Sequence, residues 1–186
     1  TLLDGATGQG NAGNDLIVVT PGVNWASVWY WWSPNSVYVD LEEGYALDGY
    51  GTRDTLVNVR SVDGFSRNGD KAFGSSGDDS FFMGSNWQKK PGLVYIDGRG
   101  GNDRVTMGYN PSDNFGSVVI KVSPDDRVIK VHNANYPDFI YELHNIESFG
   151  VWNHEINKGS NFVLKDFRDI SKAGEEILEW YNENIN

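Results

Sequence analysis

A nine-residue pattern of glycine and aspartate, more than any run of apolar residues, limits what this chain can fold into. Gly10-Asn11-Ala12-Gly13-Asn14-Asp15-Leu16-Ile17-Val18 has the form G-x-x-G-x-D-x-(apolar)-x. Gly74-Ser75-Ser76-Gly77-Asp78-Asp79-Ser80-Phe81-Phe82 repeats it, as does Gly98-Arg99-Gly100-Gly101-Asn102-Asp103-Arg104-Val105-Thr106. Two looser copies run through Asp54 (Gly49–Leu56, with one extra residue) and Asp70 (Gly69–Ala72). Glycines let a loop curl until successive carbonyl oxygens point inward. The aspartate adds a hard anionic oxygen, and the apolar residue two positions later enters a core at the start of a strand. Calcium takes roughly 6–8 oxygen ligands in flexible geometry, more than one such loop supplies, so stacked loops would share each ion. Without the ion these oxygens would crowd one another, which couples metal binding to folding. The spacing is irregular: Asp70 and Asp79 keep the nine-residue step, but Asn86–Leu93, with Lys89-Lys90-Pro91, intrudes before Asp103. The expectation is one to three calcium ions in an irregular stack.

Charge and composition narrow the partners. A formal charge of −11 argues against nucleic acid, whose phosphates need a basic face. Acidic chains can be disordered, but 39% apolar and 13% aromatic residues supply burial that disordered chains lack. Cysteine is absent, and bound metal is the usual substitute for disulfide staples. No stretch approaches the ~18 apolar residues of a membrane span. Thr1 is not an initiator, so the N-terminus reads as a cut made by processing or trimming.

Residues 1–160 read as short strands punctuated by turns, at Leu16–Val19, Val28–Trp32, Val37–Leu41, Thr55–Val59, Ser80–Met83, Val94–Ile96 and Arg104–Met107. Ser117–Val122 and Val128–His132 form a hairpin about Pro124-Asp125-Asp126. The extension 161–186 changes character: Asp169 caps an expected helix at about 170–182, with Ile170, Ala173, Ile177, Leu178 and Tyr181 on one stripe. One domain over 1–186 is expected, its helix covering an open end of the β-stack or serving as an export signal.

The nonapeptides resemble those of RTX proteins, the haemolysin-type calcium-binding repeats. Ser36–Ala46, Gly51–Val59 and Val62–Gly64 are similar to a segment interleaved with such repeats in large exported bacterial proteins. Val118–Phe149, ending Leu143-His144-Asn145-Ile146-Glu147-Ser148-Phe149, resembles the stretch that closes an array. The resemblance covers about residues 8–150. It implies an all-β fold, here an irregular parallel β-roll or β-solenoid with an added hairpin and a C-terminal helix. It also implies a secreted or cell-surface bacterial protein and type I secretion. Carried over position by position, backbone ligands would be Gly10, Ala12, Gly74, Ser76, Gly98 and Gly100, with carboxylates from Asp15, Asp79 and Asp103. The looser copies add Asp54 and Asp70.

Trp25, Trp29, Tyr30, Trp31 and Trp32 form the densest aromatic run. On a continuous strand Trp25, Trp29 and Trp31 would face one side and Tyr30 and Trp32 the other. Trp29, Trp31 and Trp32 are therefore candidates for a face that stacks on sugar rings, against the plainer reading of an irregular packed edge. His132, His144 and His154 lie on different elements without zinc spacing. No G-x-S-x-G elbow occurs, and carboxylates are too numerous for any pair to identify a glycosidase. The expected function is an extracellular calcium-binding module that holds a glycan or surface partner through its Trp-rich edge. The alternatives are a small polysaccharide-active enzyme or accessory domain of a secreted hydrolase or epimerase, and a structural spacer.

Overall fold

The structure is a computed structural model that describes residues 2–23, 26–84, 90–109, 118–123, 128–153 and 158–163. The described residues are all-β and contain no helix. Its first strands are β1 (Leu2–Leu3), β2 (Thr7–Gly8), β3 (Leu16–Val19), β4 (Ser27–Trp29), β5 (Tyr38–Asp40) and β6 (Tyr45–Leu47). The middle of the chain forms β7 (Arg53–Val57), β8 (Ser61–Phe65), β9 (Lys71–Phe73), β10 (Ser80–Met83), β11 (Gly92–Asp97) and β12 (Arg104–Tyr109). Then come β13 (Val118–Val122), β14 (Val128–Asn133), β15 (Tyr136–His144), β16 (Ser148–Asn153) and β17 (Lys158–Val163).

Two sheets result, a ten-stranded one in the order β1-β3-β7-β6-β5-β9-β11-β15-β14-β13 and a seven-stranded one in the order β17-β16-β12-β10-β8-β4-β2. From β7 to β12 the chain alternates between them. Parallel neighbours normally require a crossover connection, most often a helix. Here a strand of the opposite sheet provides it: β8 and β10 are parallel neighbours, and β9 lies between them in sequence but in the other sheet. Antiparallel pairing enters where the alternation stops, in the β5-β6-β7 meander, the β13-β14-β15 hairpins and the β16-β17 pair.

The core follows from period-two side-chain alternation within this register. Phe81, Val105 and Phe149 stand side by side across β10, β12 and β16, with Met83, Met107 and Val151 in the next row. In the ten-stranded sheet Val39, Ala72, Ile96, Leu143 and Ile129 form a comparable row. All are buried, and each large side chain so placed contributes about 1.5–3 kcal/mol over leaving it in water. β7 departs from this rule, since its two inward residues are Leu56 and the carboxylate-bearing Asp54.

The expected strands at Leu16–Val19 and Ser80–Met83 occur as read, and the 118–122 strand pairs antiparallel with 128–133. The expected helix at 170–182 and the hairpin turn at 124–126 lie outside the described residues. The continuous strand through Trp32 is corrected: β4 stops at Trp29. Tyr30 turns inward and is fully buried, its N–H donating to the Asp63 carbonyl, and Ser33 closes a turn onto the Tyr30 carbonyl. Gly64 makes this possible, because a Cβ there would lie 2.7 Å from the Trp31 nitrogen. With the strand ended, two-sided alternation does not govern Trp31 and Trp32.

Candidate metal centre

The glycine-aspartate turns stack in two pairs. The Gly10–Asp15 turn lies against residues 49–54: Gly13 N–H donates to Thr52 Oγ1 and Arg53 N–H to Asn14 Oδ1. The Gly74–Asp79 turn lies against Gly98–Asp103, where Gly100 N–H donates to the Ser75 carbonyl and Asn102 N–H to Asp78 Oδ1. Gly101 allows the close approach in the second pair. Its φ is +121°, and a Cβ there would come within 2.6 Å of the Gly77 carbonyl carbon.

One device recurs along these stacks. The N–H of a residue entering a strand donates to a carboxylate of the following turn, while its carbonyl accepts the N–H just beyond that carboxylate. Asp15 does this with Asp54 and Thr55, and Asp79 with Asp103 and Arg104. Asp103 does it with Glu147 and Ser148, and Val37 with Asp70 and Lys71. Each carboxylate thereby spends oxygen capacity on the preceding turn, and what remains differs from site to site.

Asp54 is fully buried; Oδ1 accepts Asp15 N–H and Oδ2 the Tyr30 hydroxyl at 3.0 Å. Asp70 accepts three backbone N–H groups, from Val37, Ser66 and Arg67. Burial pushes both above the ordinary carboxylate range, and these bonds oppose the rise. Asp79 Oδ2 takes the Ser75 N–H and hydroxyl, and Oδ1 faces Arg60 Nη1 at 3.4 Å. Asp103 differs. Oδ1 accepts Asp79 N–H at 2.8 Å, but Oδ2 accepts no hydrogen bond among the described residues although the residue is only 1% exposed. Burial, then the charges of Asp79, Glu147 and Asp78, push its pKa up to about 7. Leaving a buried acceptor unmet costs about 1–3 kcal/mol, so this oxygen calls for a partner.

Gly98 frames that oxygen. A Cβ on Gly98 would collide with both Asp103 Oδ2 and the Asn145 carbonyl oxygen, so two hard oxygens converge on the space that glycine leaves. Among the described residues no three His, Cys, Asp or Glu side chains group as metal ligands. A cation here would therefore depend on backbone carbonyls beside one carboxylate, a donor set that suits calcium. Of the other carried-over positions, Gly10 and Gly74 are buried, Gly100 and Asp15 half-buried, and Ala12 and Ser76 exposed at turn tips.

Two arginines complete the picture without having been marked as site residues in the sequence. Arg60 reaches Ser75 Oγ and Asp79. Arg99 holds Asp40 through both terminal nitrogens, at 2.9 and 2.7 Å, and also donates to the Gly74 carbonyl at 2.9 Å. Burial would raise Asp40, but the Arg99 contacts, with the backbone N–H groups of Glu43 and Glu42, outweigh it and hold its pKa low. Arg99 sits inside a nonapeptide, which was a visible signal; nothing in the sequence around Arg60 points at Asp79.

The tryptophan candidates separate. Trp25 lies outside the described residues. Trp29 is half-buried on β4, and Trp31 is half-buried with its ring edge-on to Phe82 at 5.9 Å. Trp32 is 68% exposed, with the Tyr50 hydroxyl donating to its carbonyl. Asn35, Ser36, Leu47, Gly49, Gly51 and Thr52 line a cleft of about 310 Å³ with no ionisable side chain among them. A second aromatic array went unread in the sequence. Tyr45, Tyr38, Phe73, Tyr95 and His144 run across the ten-stranded sheet with successive centroids 5.7, 5.4, 5.7 and 4.9 Å apart. Its members are scattered over 100 residues of sequence, and only strand order brings them together.

Among the described residues no helix is long and apolar enough to cross a membrane. No family model, curated protein or solved structure matches the chain.

Proposed function

We propose that this chain is an extracellular calcium-binding module of an exported bacterial protein, wound as an irregular parallel β-roll of the RTX type. Alternation of parallel strands between two sheets, with glycine-aspartate turns at the strand entrances, supports the β-roll reading. The observation that carries calcium is Asp103: a buried carboxylate with an unmet oxygen, facing the Asn145 carbonyl across Gly98 and crowded by Asp78, Asp79 and Glu147. A divalent cation held by Asp103 and neighbouring carbonyls would satisfy that oxygen and offset the accumulated negative charge. In this reading calcium fastens the Gly98–Asp103 turn and drives folding outside the cell, and Trp32 presents a face to a glycan or surface partner.

Thermal unfolding in EGTA and in millimolar calcium tests the proposal. One site at a hundredfold excess over Kd stabilises by about 2.7 kcal/mol, or roughly 5–10 °C in Tm for a chain of this size. Asp103→Ala should abolish the shift, and Asp138→Ala, at an exposed position outside the turns, should leave it intact. Magnesium should substitute poorly, since it demands tight octahedral geometry. Identical melting with and without calcium overturns the reading.

A further inference from the structure

We infer that the Gly74–Asp79 turn carries its own cation: the guanidinium of Arg60, with that of Arg99, takes the place a metal ion would hold there. Arg60 lies between β7 and β8, and its head rests on Gly77, where a Cβ would be 3.2 Å from Nη1 and 3.4 Å from Cζ and Nη2. From that seat Nη1 donates to Ser75 Oγ and faces Asp79 Oδ1 at 3.4 Å. Arg99 enters beside the same turn, stacked 5.2 Å over the Phe73 ring, and donates to the Gly74 carbonyl. The nonapeptide would offer a metal the Gly74 carbonyl, the Ser76 carbonyl and the Asp79 carboxylate. Two of these three already face a guanidinium, and the remaining Asp79 oxygen takes Ser75 N–H and Oγ–H.

The substitution makes chemical sense. A guanidinium is permanently charged and offers five N–H donors in a plane, so it neutralises a buried carboxylate at any calcium concentration. The Arg60 side chain is 48% exposed whereas that of Asp79 is 0% exposed, so the charge reaches in from the surface to a buried acceptor. Vacating it leaves a buried, uncompensated carboxylate beside the Ser75 hydroxyl and the Gly77 carbonyl, oxygen donors of the kind that calcium takes. Of these two stacked turns, calcium dependence is thereby left to Gly98–Asp103, although both carry the same motif.

The inference rests on the calcium reading in taking calcium as the competing ion, and the experiment separates the two. Arg60→Met should lower Tm by about 5 °C in EGTA, the loss of one charged hydrogen-bonded pair in a chain of this size. Millimolar calcium should restore most of that loss beyond any shift it gives the wild type, and magnesium should not. Arg60→Lys, which keeps a charge at the same place, should show no such additional rescue, and it serves as the second variant if Arg60→Met folds poorly. Equal losses in calcium and EGTA for Arg60→Met overturn the inference, even where the wild type responds to calcium. A wild type indifferent to calcium alongside a rescued Arg60→Met overturns the Asp103 site and leaves this inference standing.

Discussion

The Gly74–Asp79 and Gly98–Asp103 turns share one motif, stack on each other and place their aspartates at equivalent buried positions, yet their carboxylates meet different fates. Asp79 has both oxygens partnered, by Ser75 and Arg60. Asp103 has one oxygen on the Asp79 N–H and the other with no hydrogen bond among the described residues. Part of the difference lies within the motif, since Ser75, at its second position, gives Asp79 Oδ2 two donors while Arg99, at the same position, turns to Asp40 and the Gly74 carbonyl. The rest comes from what the fold brings alongside: Arg60 from the turn between β7 and β8, or the Asn145 carbonyl from the turn after β15. Asp54 shows a third solution, with the buried Tyr30 hydroxyl as donor. The Asp54, Asp79 and Asp103 turns thus hold buried carboxylates whose surroundings are supplied in part by another stretch of the chain.

The most severe way to break the comparison is to prise the two turns apart. Gly101→Ala forces a side chain into left-handed backbone and against the Gly77 carbonyl, and should destabilise by about 3 kcal/mol. Gly100→Ala, one residue earlier, meets nothing closer than 3.9 Å and should stay within about 0.5 kcal/mol of wild type. Equal effects of the two in denaturant unfolding would mean that the turns do not pack as described.

A carboxylate away from both turns sharpens the comparison. Burial pushes Asp63 up to about 6, and the Ser27 hydroxyl donates to it at 2.8 Å. Its folded pKa lies above its unfolded value near 4, so the native state favours the protonated form. The resulting destabilisation is absent below about pH 4 and fully present above pH 6. Metal-free wild type should therefore lose about 1–3 kcal/mol more across that window than Asp63→Asn does. Parallel pH–stability curves for the two proteins would exclude this role for Asp63.

The smallest effect belongs to an exposed side chain on the turn after β4. Trp32→Ala removes a side chain that is 68% exposed and should change stability by no more than about 0.5 kcal/mol. In the proposed function it should nevertheless lose glycan-array or cell-surface binding. Near-wild-type binding by a stable Trp32→Ala would remove the adhesive part of the proposal.

Legibility in the sequence followed the range of the forces involved. Short strands bounded by glycine and aspartate were readable at Leu16–Val19 and Ser80–Met83, because period-two burial and turn chemistry act over a few residues. The Trp25–Trp32 run misled for the same reason. Local alternation implied one strand, but Gly64 and Asp63, more than thirty residues away, pull Tyr30 inward and end β4 at Trp29. The sheet-crossing array from Tyr45 to His144 was invisible, since no local pattern encodes which strands become neighbours.

The sequence by itself determined an acidic, cysteine-free chain of short strands entered through glycine-aspartate turns, because backbone freedom and side-chain period are properties of the residues in place. Only the tertiary structure decided which of those carboxylates is neutralised. Arg60 stands 19 residues from Asp79, and Asp40 is 59 from Arg99. Electrostatic pairing in a buried site depends on distances of a few ångströms, and those are set when the two sheets close on each other.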